Sequence, residues 1–292
     1  MSRWSGHDDR DGSFCLSFKF ARGDVHVDSN LMALPAPSES STALVTGASS
    51  GIGEQIARAL ADRGHHVTLV ARRAERLERL AAELGDASAI PADLAEEASR
   101  DTLAAAVDDR DRAVEVLVNC AGFGVYEPFY KSNRKRELEQ VRLLAEAPMD
   151  LIHRWLPAMV DRRRGAVINV SSTSGFQALP YNAGYAAAKS YLLLLSEALH
   201  AEVAEFGVTV TAVCPGPVPT EFQAVSDAAF AEKLPKVVWV SAERVAQDAL
   251  QGAERGARVV LPGGPVVRAA FAPNRYAPRG LALTVSKRIM AR

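Results

Sequence analysis

Cysteine is scarce in this chain of 292 residues: Cys15, Cys120 and Cys214 stand far apart, with no C-x-x-C spacing among them. That excludes a disulfide framework and a cysteine-built zinc site, and it suits a reducing, cytoplasmic compartment. His7, His26, His65, His66, His153 and His200 show no metal-ligand spacing either, so no metal is expected. An excess of one charge is also missing. The formal net charge is -1, which gives no electrostatic grip on a nucleic acid, and a hydrophobic fraction of 48% argues against disorder. Long apolar runs are absent too: the patch "FCLSF" near the N-terminus is too short for a signal-peptide core or a membrane span.

The two ends differ from the middle. Residues 1–40 mix charges and glycines and are expected to be an extension without chemistry, with Met32 offering a natural start. After Glu254 there is no acidic residue, while Arg258, Arg268, Arg275, Arg279, Lys287, Arg288 and Arg292 gather around apolar groups. Residues 263–292 are therefore expected to form a basic tail packing on the domain or on a neighbouring subunit. Contact with an anionic membrane is the alternative.

What is present between these ends is a regular alternation. "ALVTG" is a short apolar run ending in glycine, as a buried parallel strand should be, and "GEQIARALADRG" follows with helical spacing. "HVTLV", "ASAIPADL", "VEVLVNCAG", "AVINVSS" and "VTVTAVCPG" read as further strands, separated by helical stretches, one of them long and covering roughly residues 134 to 163. Alternating strands and helices imply right-handed crossovers and an α/β class: one doubly wound Rossmann-type domain over residues 41–262, its parallel sheet flanked by helices on both faces.

In such folds ligands bind beyond the carboxyl ends of the strands. The first turn, "TGASSGIGE", offers Gly47, Gly51 and Gly53, which permit a tight turn and the approach of a diphosphate to the amides at a helix N-terminus. No Lys-Ser/Thr follows, so a Walker-type phosphate loop is excluded. After the second strand a carboxylate would favour NAD, whereas this chain offers Arg72 and Arg73, whose guanidinium groups suit a 2′-phosphate. The favoured cofactor is NADP.

"PYNAGYAAAKSY" places Tyr181, Tyr185 and Lys189 four residues apart, which on a helix stacks them along one face. A phenol titrates near ~10, so a tyrosine working at neutral pH needs a neighbouring cation, and Lys189 is one turn from Tyr185. Upstream, "NVSS" ends a strand in Ser171 and Ser172, where a hydroxyl can hold a carbonyl oxygen within reach of the phenol. Alone, Y-x-x-x-K on a helix is mostly coincidence.

The ordered set is not. "TGASSGIG", "NCAG", a serine thirteen residues before the tyrosine of "YAAAK", and "PGPVPT" together resemble the short-chain dehydrogenase/reductase family over about residues 42–220. The resemblance implies Ser172, Tyr185 and Lys189 as the catalytic serine, tyrosine and lysine, the last two also touching the cofactor. It implies a cofactor cleft built from Gly47, Ser49, Ser50, Gly51, Ile52 and Gly53, with Asp93 by the adenine, Asn119, Ala121 and Gly122 along the wall, and Pro215, Gly216, Val218 and Thr220 at the nicotinamide end. A substrate loop is implied at about 219–240, where Phe222, Phe230, Val237, Val238 and Trp239 suggest an apolar pocket.

One departure stands out. The family carries an asparagine in its long helix, interrupting the helical ladder and holding a water that connects the lysine to solvent; here Leu144 occupies that position and no asparagine occurs from Arg134 to Ile168. Leucine neither donates nor accepts, so the helix is expected to run more regularly and the proton relay to be impaired. Two functions stay open: an NADP(H)-dependent enzyme interconverting carbonyl and alcohol on a small apolar substrate, and a weakly active NADP-binding protein acting as sensor or partner. A nucleotide-sugar epimerase shares Y-x-x-x-K but resembles a different glycine spacing. The leucines of "SYLLLLSEALHAEV" exceed what one sheet contact buries, so a homodimer or homotetramer is expected.

Overall fold

The computed structural model describes residues 34–226, 235–271 and 278–290. The N-terminal extension up to residue 33, together with Phe230, Arg275 and Arg292, lies outside the described residues.

β1 (Ser41–Thr46) is buried along its whole length, which is why its middle, Ala43–Val45, reads as a continuous apolar run rather than an alternation. It lies beside the central strand, β4, of a seven-stranded sheet whose pairings are all parallel, in the order β3-β2-β1-β4-β5-β6-β7. The other strands are β2 (Val67–Ala71), β3 (Ala87–Pro91), β4 (Ala113–Asn119), β5 (Gly165–Val170), β6 (Val208–Val213) and β7 (Val259–Val260). Val45 lies opposite Leu69 on one side and Val118 on the other. The chain turns outward in both directions from the β1–β4 pair, and that reversal leaves a crevice at the carboxyl ends of the two strands.

Successive strand residues face opposite helical layers. On one face, Val45, Leu69 and Val118 pack with Ile56 and Leu60 of α1 (Gly51–Ala61), Leu77 of α2 (Ala74–Leu84) and Val245 of α8 (Ala242–Glu254). On the other, Leu44, Leu117 and Val167 pack with Leu103 of α3 (Glu97–Asp108) and with Leu151 and Trp155 of α5 (Ala147–Asp161). The doubly wound architecture expected from the alternation is the observed one. The two-residue β7 escaped the sequence reading.

Two local expectations fail. The stretch read as one long helix is α4 (Arg134–Val141), a π-helical segment (Arg142–Glu146) and α5. Leu144 sits inside the π segment, so the helix does not run more regularly there. The reason lies four residues on: Pro148 has no N–H to return to the carbonyl of Leu144, and its ring crowds that carbonyl, so a regular α-turn cannot close. The second failure concerns Tyr181, which stands at φ 67 ahead of α6 (Ala183–Val203) rather than on it. The expected stripe of three is a pair, Tyr185 and Lys189.

The remaining α-helices among the described residues are short α7 (Phe222–Val225), α9 (Pro265–Phe271) and α10 (Arg279–Met290). No described helix is long and apolar enough to cross a membrane.

Candidate active site

The crevice at the switch point opens into a cleft of about 790 Å³. Its floor at one end is the turn from β1 into α1. Gly47 there has φ +69, and a Cβ on it would lie 2.8 Å from the Ala121 Cα, so the turn and the exit of β4 touch backbone to backbone. A single hydroxyl ties the two together. Thr46 Oγ1 accepts from the amides of Cys120 (2.9 Å) and Ala121 (3.2 Å) and donates to the Val118 carbonyl (3.1 Å). Thr46 was not singled out from sequence, although it is the first letter of "TGASSGIG".

Every residue expected at the cofactor borders this cleft except one: Gly47, Ser49, Ser50, Gly51, Ile52, Gly53, Arg72, Arg73, Asp93, Ala121, Gly122, Pro215, Gly216, Val218 and Thr220 all line it. Asn119 does not. Its side chain is buried in the sheet, donating to Asn169 Oδ1 (2.9 Å), and Asn169 in turn donates to Ser196 Oγ of α6 (2.9 Å). The Asn119 Nδ2 thus finds its partner inside the sheet and not in the cleft, while its Oδ1 is buried with no protein partner among the described residues.

The arginine pair divides in role. Arg72 extends toward Glu139 at 3.5 Å and Asp93 at 3.9 Å, both loose and exposed contacts. Arg73 folds over the glycine-rich turn, donating to Ser49 Oγ (2.9 Å) and Ser50 Oγ (2.8 Å), and pairs with Glu221 at 2.7 Å. Asp93 accepts from the Ala95 amide at 3.1 Å, which fixes the turn after β3.

At the other end lie Ser172, Tyr185 and Lys189, all buried and all on the cleft wall. Ser172 follows β5, and its hydroxyl accepts from the Ser174 amide at 3.0 Å. One helical turn along α6, the Lys189 ammonium sits 5.7 Å from the centre of the Tyr185 ring and donates to the Val170 carbonyl at 2.6 Å. Ser171 anchors the same turn by donating to the Lys189 carbonyl at 2.7 Å. Burial acts on the two ionisable groups in opposite directions. It pushes the Tyr185 phenol up to about 12, against the pull of hydrogen bonding with Ser172. It pushes Lys189 down to about 8. The ammonium spends its short hydrogen bond on the main chain, and desolvation dominates the phenol.

Leu144 is fully buried against Tyr185 and Ala188 and reaches Gly122, where a Cβ would lie 2.7 Å from its Cδ2. Cys120 lines the cleft, and burial holds its thiol up at about 12, which makes it a packing group and not a nucleophile. Among the described residues no group of His, Cys, Asp or Glu is placed to hold a metal.

Aromatic groups close the substrate end. Phe222 lies 5.7 Å and Tyr126 6.4 Å from the Tyr185 ring, centre to centre. Of the apolar residues expected there, Phe222 lines the cleft, Val237 is exposed, and neither Val237, Val238 nor Trp239 borders the cleft. Tyr126, Gln177, Phe271 and Ser286 do border it and had no sequence signal, since only folding brings Phe271 of α9 and Ser286 of α10 to the cleft and no motif marks Tyr126 or Gln177.

The model of the short chain dehydrogenase family matches residues 41–229. The chain belongs to that family. An uncharacterized oxidoreductase of Staphylococcus epidermidis is 32% identical to this short-chain dehydrogenase over 193 residues, 66% of this chain and 84% of the relative. An NADP-dependent 3-hydroxy acid dehydrogenase of Salmonella typhi is 35% identical over 187 residues, covering 62% of this chain and 75% of that one. Among solved structures, a short-chain dehydrogenase from Sphingobium yanoikuyae in complex with NADPH superposes with a TM-score of 0.73 at 30% identity, over 80% of this chain and 92% of that chain. The protein is an oxidoreductase of the short-chain dehydrogenase/reductase family.

Proposed function

We propose that this oxidoreductase interconverts a carbonyl and an alcohol with NADP(H), on an apolar substrate, in the cytoplasm. The single observation that carries the reading is the co-location of Ser172, Tyr185 and Lys189 on the wall of a cleft whose far end holds a glycine turn under Arg73. The residues fit a phosphorylated dinucleotide: a Cβ-free turn opens onto the N-terminus of α1, and a guanidinium stands beside it. NADPH in the Sphingobium yanoikuyae structure and NADP in the Salmonella typhi relative support the same choice. When bound, NADP(H) supplies or accepts the hydride.

The chain's own residues manage the oxygen and its proton. The Ser172 hydroxyl orients the substrate oxygen toward Tyr185, and Tyr185 gives or takes the proton at its phenol oxygen. Lys189 supplies positive charge next to a phenolate that burial alone disfavours. Phe222 and Tyr126 exclude water and favour an apolar substituent. Purified protein should oxidise NADPH in the presence of some member of a panel of apolar ketones and aldehydes, and NADH poorly; no turnover across the panel would overturn the reading.

Lys189 gives this reading a pH signature. With its ammonium pushed down to about 8, carbonyl reduction should fall as pH rises through about 8, measured as kcat against pH. The stability sign follows from the same shift. The folded value lies below the free lysine value of 10.5, so between about 8 and 10.5 the unfolded chain holds more protons, and this group's contribution favours folding more as pH rises. Lys189→Met should accordingly raise thermal stability at neutral pH, by roughly 1 to 3 kcal/mol after allowing for the Val170 carbonyl it leaves unpaired.

A second reading, a poorly active NADP-binding protein, is favoured by Leu144, whose apolar side chain packs from the π segment onto Tyr185 and onto Ala188, which is beside Lys189 in sequence. Because Pro148 and not residue 144 breaks the helix, Leu144→Asn changes the side chain without changing the backbone. It is expected to raise kcat by about tenfold, at about 1 to 3 kcal/mol of stability for burying an amide in an apolar site. An unchanged kcat in steady-state assays would mean that the proton travels another way. The exposed Leu138, Val141, Met149, Tyr191 and Leu194 of α4, α5 and α6 support a homodimer or homotetramer, which sedimentation would test.

A further inference from the structure

Glu221 stands immediately after Thr220 on the cleft wall, and nothing about its sequence position marks it. In space it meets two arginines from the far side of the cleft. Its Oε2 accepts from Arg73 Nη1 at 2.7 Å and its Oε1 from Arg76 Nη1 at 2.8 Å, so each carboxylate oxygen has its own guanidinium. The Nε and Nη2 donors of Arg73 are held by Ser49 and Ser50 of the glycine-rich turn. A carboxylate bridging two guanidiniums beside that turn occupies the place an incoming phosphate monoester would need in order to use the same donors.

We propose that Glu221 is a specificity-determining residue that competes with the cofactor's 2′-phosphate for Arg73 and Arg76, so that the affinity for NADP(H), and not for NAD(H), is set by how readily its carboxylate is displaced. The inference rests on the NADP reading above. Both partners are roughly half exposed, so the pair is held weakly and is screened by salt. A phosphate carrying nearly two charges and three acceptor oxygens out-competes a carboxylate at a pair of guanidiniums, but it must first expel an anion already seated there. A cofactor lacking the 2′-phosphate leaves the ion pair intact and gains nothing from its removal. The two arginines keep the Glu221 carboxyl down at about 2, so the occupant is ionised at all working pH values.

The test is a binding titration at low ionic strength with wild type, Glu221→Gln and Glu221→Ala, using NADPH, NADH and 2′,5′-ADP as ligands. Both variants should bind NADPH and 2′,5′-ADP about three- to tenfold more tightly, leave NADH within error, and converge with wild type in high salt. If wild type prefers NADPH but the variants bind it equally or more weakly, Glu221 positions the arginines or does nothing, and the proposal falls alone. If wild type binds NADH as tightly as NADPH, the cofactor reading falls and takes the proposal with it.

Discussion

Tyr185→Phe should lower kcat for carbonyl reduction by about a hundredfold to ten-thousandfold while leaving NADPH affinity within about twofold. The substitution removes one oxygen from a side chain whose ring is otherwise held by Phe222, Tyr126 and Leu144. Ser172, which orients the substrate oxygen in the proposed reaction, and Lys189, which donates to the Val170 carbonyl at 2.6 Å, have roles of their own. The ring keeps its packing against Phe222, Tyr126 and Leu144, so phenylalanine should change the melting temperature little. Steady-state kinetics with a parallel cofactor titration separates the outcomes: equal loss of turnover and binding would mean that the residue supports the cleft and not the chemistry.

Gly47→Ala carries the second large effect, this time on folding and on the cofactor together. At φ +69 an L side chain is strained by roughly 1 to 2 kcal/mol. The added Cβ would also lie 2.8 Å from the Ala121 Cα and 2.9 Å from its amide nitrogen, and backbone cannot turn aside as a side-chain tip can. Relief requires β1 and the exit of β4 to separate, which breaks the Thr46 hydroxyl's bonds to the Cys120 and Ala121 amides. A loss of about 3 to 5 kcal/mol in denaturant unfolding is expected, with NADPH binding weakened more than tenfold. Gly264→Ala serves as the control, since its Cβ would meet nothing within 4 Å, and it should be close to neutral.

Strand and helix alternation was legible because buried parallel strands and amphipathic helices differ in period, and the glycine turn and Tyr185–Lys189 pair were legible because their spacing is local. The features that escaped are those in which one residue acts on another beyond that range. Pro148 is plain in the sequence, yet it acts on the carbonyl four residues earlier, so attention to the side chain at Leu144 led to the wrong expectation of a regular helix. Tyr181 keeps the spacing of a helical stripe but precedes the helix, its positive φ being invisible to periodicity. Asn119 sits in a cleft-like motif while its amide satisfies Asn169 inside the sheet. Arg73 announced an anion site; its carboxylate partner, Glu221, lies 148 positions away and is joined to it only by the fold.

The central claim is that a buried phenol passes a proton to a substrate oxygen as hydride is delivered from a cofactor seated over the glycine turn. The most direct measurement incubates the protein with NADPH carrying deuterium at the transferable position and a panel of apolar ketones and aldehydes, followed by mass analysis of the alcohols. The account predicts one deuterium on the carbinol carbon of at least one product, formed by wild type and lost in Tyr185→Phe. Tight NADPH binding with no labelled alcohol from any substrate, or equal labelling by the phenylalanine variant, would contradict it.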